Sequence, residues 1–226
     1  IEVGLDGGSL KHYSLPDPKV DSDRMKEAIQ RSLKLMDIAA PKNPLVGALL
    51  VSAAYTAPLG HWIELDCSIH SFGQTGAFKT AASGLLMQHY GVGFSGTVLP
   101  SSWSYSKARL MGEASRAKDV VMVIDDYKTQ STQRGTQDLS YTANRVFTNI
   151  GNRSPEGRAR QDGSARPDRV PMCLPYSSGE IVPDGESCRA RIMLSKITKG
   201  DIDSNNLAKF QRWGADGDYA LAMSGY

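Results

Sequence analysis

The stretch Ile69-His70-Ser71-Phe72-Gly73-Gln74-Thr75-Gly76-Ala77-Phe78-Lys79-Thr80 decides how the rest of the chain reads. A short apolar run enters a G-x-x-G-x-x-K-T pattern, and residues 80–90 follow with Ala81, Ala82, Leu85 and Leu86 at helical spacing before Gly91. A Gly-rich turn between strand and helix lets backbone N–H groups converge on phosphate oxygens, and the helix N-terminus adds the positive end of its dipole. Gly73, Gln74, Thr75, Gly76, Ala77, Phe78, Lys79 and Thr80 are therefore the candidate phosphate-cradling residues. The Lys79 ammonium suits the β- and γ-phosphates, and the Thr80 hydroxyl suits a Mg²⁺ ion. Phe78 departs from the general pattern, in which Gly precedes the Lys. If the loop keeps its usual shape, a Cβ and ring must point outward there. An ordinary Gly-containing turn with a surface Lys produces the same short pattern by chance, so the loop needs a second motif.

That motif is Val120-Val121-Met122-Val123-Ile124-Asp125-Asp126, an unbroken apolar run of the kind found in strands covered on both faces, ending in paired carboxylates. Asp125 lies 46 residues after Lys79, which leaves room for helix, strand and helix. This is the spacing of a P-loop ATPase whose two motif strands have another strand inserted between them. In that arrangement Asp125 holds Mg²⁺ through water and Asp126 activates the attacking water. A buried strand ending at a capped turn is the bland alternative, and the order and spacing of the two motifs weigh against it.

Around these motifs the pattern is that of an α/β unit with a parallel sheet. Residues 1–20 read as an irregular lead-in, 21–36 as a helix behind an Asp/Ser cap, and 44–56 as a mostly buried helix closed by Pro58 and Gly60. Strands are expected at 96–100, 170–175 and 190–197, helices at 104–118 and 139–150, and a helical appendage from Leu207 onward. The divisions are 1–60, a lead-in and helical region; 61–200, the core; and 201–226, the start of a C-terminal helical lid. The chain begins at Ile1 rather than Met and stops at Tyr226 inside apparent helix, so it reads as a fragment of something longer.

Two further elements are expected of such an ATPase. The strand from Val170 runs to Ser177-Ser178-Gly179-Glu180, the place for a polar residue between the carboxylates and the γ-phosphate. Ser178 is preferred narrowly over Ser177, and Glu180 could instead position the water; turn chemistry explains both Ser and Gly cheaply. Then comes Pro183-Asp184-Gly185-Glu186-Ser187-Cys188-Arg189-Ala190-Arg191. In ring ATPases of the AAA+ type an Arg at this point reaches the neighbouring subunit's nucleotide, because its planar fork stays charged and contacts phosphate bidentately. Arg189 and Arg191 both qualify: two apart on an extended chain they face the same side, so direction does not separate them. A solvated strand edge is the competing reading.

Taken in order, Gly-Gln-Thr-Gly-Ala-Phe-Lys-Thr, Val-Val-Met-Val-Ile-Asp-Asp-Tyr, Gly-Asn-Arg-Ser-Pro-Glu-Gly-Arg-Ala-Arg, Ser-Ser-Gly-Glu and Pro-Asp-Gly-Glu-Ser-Cys-Arg-Ala-Arg form a series. The series resembles the ATPase module of primase–helicase-type replication proteins from phages and integrated mobile elements. The similarity runs from about residue 40 to the end, and Phe before the Lys belongs to that family's pattern. The resemblance implies an AAA+-like P-loop NTPase, a three-layer α/β sandwich with a central, mostly parallel sheet. It also implies ATP and Mg²⁺ as ligands, single-stranded or duplex DNA as partner, a homo-oligomeric ring, and a fused or associated primase domain. A host bacterial cytoplasm goes with it. A nucleotide-binding assembly module with little hydrolysis and a P-loop phosphotransferase are the rivals. Phe78 and the Asp at 126 favour the first, and no acceptor-binding motif supports the second.

Composition fits a soluble globular chain: 226 residues, 40% hydrophobic, 26 Lys+Arg against 24 Asp+Glu, and a formal charge of +2. That charge excludes a polybasic coat and an acidic tail. Cys67, Cys173 and Cys188 are odd in number and far apart, which speaks against a disulfide framework or structural zinc and for a reducing cytosol. His12, His61, His70 and His89 are scattered and read as surface or packing residues. The apolar stretch 45–57 is too short to span a bilayer, no signal peptide opens the chain, and no membrane association is expected. The charge is unevenly distributed. Of 14 Arg, nine lie between Arg134 and Arg191, where there is no Lys, and residues 145–169 hold six of them against three acids. Such a loop could grip a nucleic-acid backbone without sequence preference, contact nucleotide across an interface, or simply be solvated.

Overall fold

The structure, a computed structural model, describes residues 9–155 and 169–226. Its first helix, α1 (Ser22–Leu33), begins behind Asp21, whose carboxylate accepts the Arg24 N–H and satisfies a donor the helix cannot. The second, α2 (Pro44–Thr56), carries Pro in its first turn, where the missing N–H is no loss. There follow β1 (Ser68–Phe72), α3 (Lys79–Met87), β2 (Ser101–Ser102), α4 (Lys107–Arg116), β3 (Val121–Tyr127) and α5 (Gln133–Gly151). After these come β4 (Leu174–Gly179), α6 (Glu186–Arg189), β5 (Ile192–Lys196), α7 (Ser204–Ala215) and α8 (Asp218–Ser224).

The five strands form one parallel sheet in the order β2-β3-β4-β1-β5. Thus β4 lies between the strand that feeds the phosphate loop and the strand that ends in Asp125-Asp126. Helices cover both faces, as a parallel sheet requires. Alternation along β3 makes this concrete: Val121 and Val123 pack with α2, α3 and α7, whereas Met122 and Ile124 pack with α4 and α5. All four side chains are fully buried, each contributing roughly 1.5–3 kcal/mol of apolar transfer. This is a three-layer α/β sandwich. Because every strand runs the same way, the ends of β1, β3 and β4 open on one edge, and the cleft forms there.

Several expected elements lie elsewhere along the chain. The strand expected at 96–100 is a tight turn in which Ser95 and Val98 exchange backbone hydrogen bonds, and pairing with β3 begins only at Ser101. The apolar run from Val170 enters the sheet late. Met172 is occupied first, its N–H on the Ala114 carbonyl and its carbonyl on the Asp119 N–H, so β4 starts at Leu174 and carries Ser177 and Ser178 inside the strand. The extended entry expected at Arg189 is a helical turn, because Arg189 and Ala190 donate back to the carbonyls of Gly185 and Glu186. The C-terminal helix expected from Leu207 starts at Ser204, capped by Asp203, and is two helices broken where Gly217 adopts a left-handed conformation.

The two ends of the described chain are tied together. Asp218, fully buried, accepts from Arg31 Nη1 at 2.8 Å and lies 2.6 Å from Arg24 Nη2, so α1 is clamped to α8. Arg31 also lies over the Trp213 ring of α7. Among the described residues no helix is long and apolar enough to cross a membrane.

Candidate functional site

The Gly-rich loop accommodates Phe78 in a backbone conformation that favours Gly. Its backbone sits at φ 62°, ψ 20°, the left-handed region that Gly occupies freely and an L-residue enters at roughly 1–2 kcal/mol. Phe78 is 39% exposed and stands at the cleft wall. At the loop's start a Cβ on Gly73 would lie 1.9 Å from the Ile197 carbonyl oxygen, so only Gly lets the turn pass the end of β5. The Lys79 ammonium folds across the loop, donating to the carbonyls of Gly73 at 2.7 Å and Gln74 at 2.9 Å. Burial lowers the pKa of this ammonium, and the carboxylates of Glu180, Asp125 and Asp126 pull it back up.

Across β4 the acidic strand closes the other wall. Asp125 Oδ1 accepts the Thr80 hydroxyl at 3.2 Å and the Ser178 hydroxyl as well. Ser178, not Ser177, therefore touches the carboxylate; on a strand the two face opposite sides. Asp126 stands at a break in the β3–β4 register, between Ile124 and Tyr127, in the left-handed conformation (φ 71°). Its carboxylate is 53% exposed and lies 2.7 Å from the Lys128 ammonium. Glu180 closes the mouth, accepting the Thr75 hydroxyl, while its N–H donates to the Tyr127 carbonyl at 2.7 Å. Thr75, Gly76, Phe78, Lys79, Thr80, Asp125, Asp126, Lys128 and Glu180 line one cleft of about 410 Å³.

A buried hydrogen-bond chain supports this edge from behind. The Trp103 indole N–H, which can only donate, points to Ser177 Oγ at 2.9 Å. Ser177 must then donate to His70 Nδ1 at 2.9 Å, and His70 Nε2–H donates to the Ile181 carbonyl at 2.8 Å, one residue beyond Glu180. Burial pushes the His70 pKa down to about 4, so the ring is neutral and the direction of the chain is fixed.

Among the described residues no cluster of three or more His, Cys, Asp or Glu could hold a metal by itself. Thr80 and Asp125 nonetheless offer two hard oxygens that converge at the loop, a donor set whose chemistry fits a hard cation such as Mg²⁺. Arg189 and Arg191 are not at this cleft. Both precede β5, and Arg191 meets the start of β1 through the Ser68 N–H, so they lie ~16 Å along the sheet from the loop. Arg191 is bonded to Asn152 Oδ1 and to Ser187, whereas Arg189 is 55% exposed and paired with the exposed Asp184. Of the Arg-rich segment, Arg158, Arg160 and Arg166 lie outside the described residues, and Arg153 docks on the carbonyls of Gly60 and Ile63. Sequence reasoning did not single out Lys128, Thr75 as a partner of Glu180, or the His70 chain. Only the position of Lys128, two after Asp126, hinted at its place.

Fold and site together describe a three-layer α/β protein in which a Gly-rich strand-to-helix loop and a pair of carboxylates share one edge of a parallel sheet. No family model matches the chain, and no curated protein matches its sequence. Among solved structures it is similar to SCCmec type IV Cch, described as an active helicase, at 16% identity, covering 91% of this chain and 36% of that one with a TM-score of 0.47. It is also similar to JCV helicase, at 10% identity, covering 88% of this chain and 53% of that one with a TM-score of 0.48. The apo C-terminal region of NrS-1 is 11% identical, covering 95% of this chain and 48% of that one with a TM-score of 0.47. The chain thus spans about a third to a half of the length of these structures.

Proposed function

We propose that this chain is the ATP-binding and ATP-hydrolysing core of a DNA-replication motor. The observation that carries the reading is the convergence of Lys79, Thr80 and Asp125 in one cleft at the ends of parallel strands, with the buried Ser178 bonded to Asp125 behind it. The loop amides and Lys79 hold the phosphates, and Thr80 and Asp125 would hold Mg²⁺, which would offset phosphate charge. Ser178 keeps Asp125 turned into the cleft. Asp126 takes a proton from water as the water oxygen bonds to the γ-phosphorus. The bond from that phosphorus to the β–γ bridging oxygen breaks, and ADP leaves with the electron pair.

Charge at the transition state would be met from a neighbouring copy by Arg189. It is preferred to Arg191, whose guanidinium is spent on Asn152 and Ser187. The ring, the DNA partner, an associated primase, a phage or mobile-element source and a host cytoplasmic setting rest on the resemblance of the sequence blocks. The test is ATP turnover with and without single-stranded DNA, in wild type and Lys79→Ala. Loss of turnover in the variant is expected, and wild-type activity there overturns the assignment. A second reading, a nucleotide-binding assembly module with little turnover, is favoured by the Lys128 ammonium on Asp126; ATP binding without phosphate release even with DNA supports it.

A further inference from the structure

The break in the β3–β4 register does more than end a strand. By turning the chain through a left-handed Asp126, it brings Asp126 and Lys128 to the wall of the same cleft. The same two residues also line an adjoining cavity of about 330 Å³ with Trp103, Tyr105 and Asp138. Around the phosphate cleft stand three carboxylates, Asp125, Asp126 and Glu180, and two ammonium groups, Lys79 and Lys128. Lys79 is held by the loop carbonyls, and both candidate arginines are at the far end of the sheet. Of the two cations that line the cleft, Lys128 is therefore the one not held by the loop; Lys199 approaches Gly76 from the turn after β5 without lining the cleft, and no phosphate-loop pattern predicts Lys128.

We propose that Lys128 is a second phosphate-binding cation, acting within its own subunit on the terminal phosphate by exchanging Asp126 for a phosphate oxygen. This rests on the ATPase reading and deepens it. The exchange is favourable on magnitudes. Asp126 and Lys128 are 53% and 48% exposed, and a pair so wet is worth about 0–1 kcal/mol. A charge-assisted bond to a phosphate oxygen inside the cleft is stronger, and a single point charge on a flexible four-carbon stem can swing between the two. The exchange also couples to the chemistry. While Lys128 sits on Asp126, that carboxylate is engaged by a cation; once the terminal phosphate draws Lys128 away, Asp126 faces the water alone. A nucleotide lacking the terminal phosphate leaves the pair intact.

The discriminating experiment compares affinities for ATP and ADP, each with Mg²⁺, by fluorescent-nucleotide titration of the 226-residue chain. Wild type, Lys128→Gln, Lys128→Arg and Lys79→Ala are measured. A lost charge-assisted bond at a half-exposed site corresponds to about tenfold in affinity. Lys128→Gln should weaken ATP about tenfold and leave ADP within about twofold, Lys128→Arg should keep most of the ATP affinity, and Lys79→Ala should weaken both. Unchanged ATP affinity in Lys128→Gln, or equal loss for ATP and ADP, overturns the role of Lys128 while the Lys79 result upholds the nucleotide site. Wild type that binds neither nucleotide, or Lys79→Ala that binds both normally, overturns the underlying reading and this proposal with it.

Discussion

Lowering the pH from 7 to 5 should remove about 4 kcal/mol of folding stability through two buried imidazoles. His70 and His89 are both fully buried, and burial holds each pKa at about 4 against an ordinary 6.5. Each ring is neutral by hydrogen-bond logic as well. His70 Nδ1 accepts from Ser177, whose oxygen is already taken by the Trp103 indole. His89 Nδ1 donates to the carbonyls of Leu85 and Leu86, while its Nε2 accepts from Ser32, which is itself bonded to Tyr55. Between pH 6.5 and 4 the unfolded chain binds protons that the folded chain refuses, so stability falls as pH falls, by up to about 1.4 kcal/mol per pH unit for each ring. At pH 5 that is about 2 kcal/mol per ring, out of a typical total of about 5–15 kcal/mol. Urea unfolding at a series of pH values reads the slope; His70→Gln should halve the loss. Should that variant fail to fold, the imidazole C2–H shifts of wild type give the same information, remaining at neutral positions down to pH 5. A wild-type loss below about 1 kcal/mol, or rings titrating near 6.5, would refute the reasoning.

Three further outcomes follow from single contacts. Phe78→Gly should be more stable than Phe78→Ala by about 1 kcal/mol in urea unfolding, because both lose the ring and only Ala keeps the left-handed strain. Asp218→Asn should destabilise by about 3 kcal/mol, since it takes the buried anion from Arg24 and Arg31 and leaves them only the half-exposed Glu27. Their partial exposure (33% and 31%) keeps the loss at the low end of that for a broken buried pair. Ser177→Ala and Ser178→Ala should separate stability from activity. The first orphans the Trp103 donor and the His70 acceptor, lowering stability by about 2 kcal/mol with turnover retained, and the second frees Asp125 and lowers turnover with the fold intact.

The parts of this fold that could be read from the sequence are those whose causes are local. An apolar run entering a Gly-rich turn gives β1 and the loop, and an unbroken run of five apolar residues gives β3. A carboxylate ahead of a helical pattern gives α1. What escaped depends on partners far along the chain. Ser177 and Ser178 read as the polar end of a strand, just past its last apolar residue; they sit inside a central strand because His70 lies 107 residues away, Trp103 74 and Asp125 53. Val170 and its neighbours read as strand because they are apolar, but Met172 is bonded to Ala114 and Asp119 before the sheet begins. Arg189 and Arg191, alike in sequence, differ because only Arg191 finds Asn152 and Ser187 beside it. Lys128 enters the cleft through a register break that no alternation of residue types announces.

The arrangement of β4 explains how two motifs 46 residues apart come to share a cleft. Thr80 and Asp125 touch each other only through one long hydrogen bond of 3.2 Å, too weak an interaction to align two strands. The alignment comes from the strand between them. On one face, Ser178 fixes Asp125. On the other, Ser177 orients His70, which holds the Ile181 carbonyl and with it the turn from which Glu180 reaches Thr75 in the phosphate loop. A slip of one residue would exchange the two faces, presenting Ser177 to the acidic strand and leaving His70 and Trp103 opposite the wrong side chain. Because that slip would orphan a buried indole and a buried imidazole, the same hydrogen bonds that stabilise the core also exclude the register in which the cleft would not form.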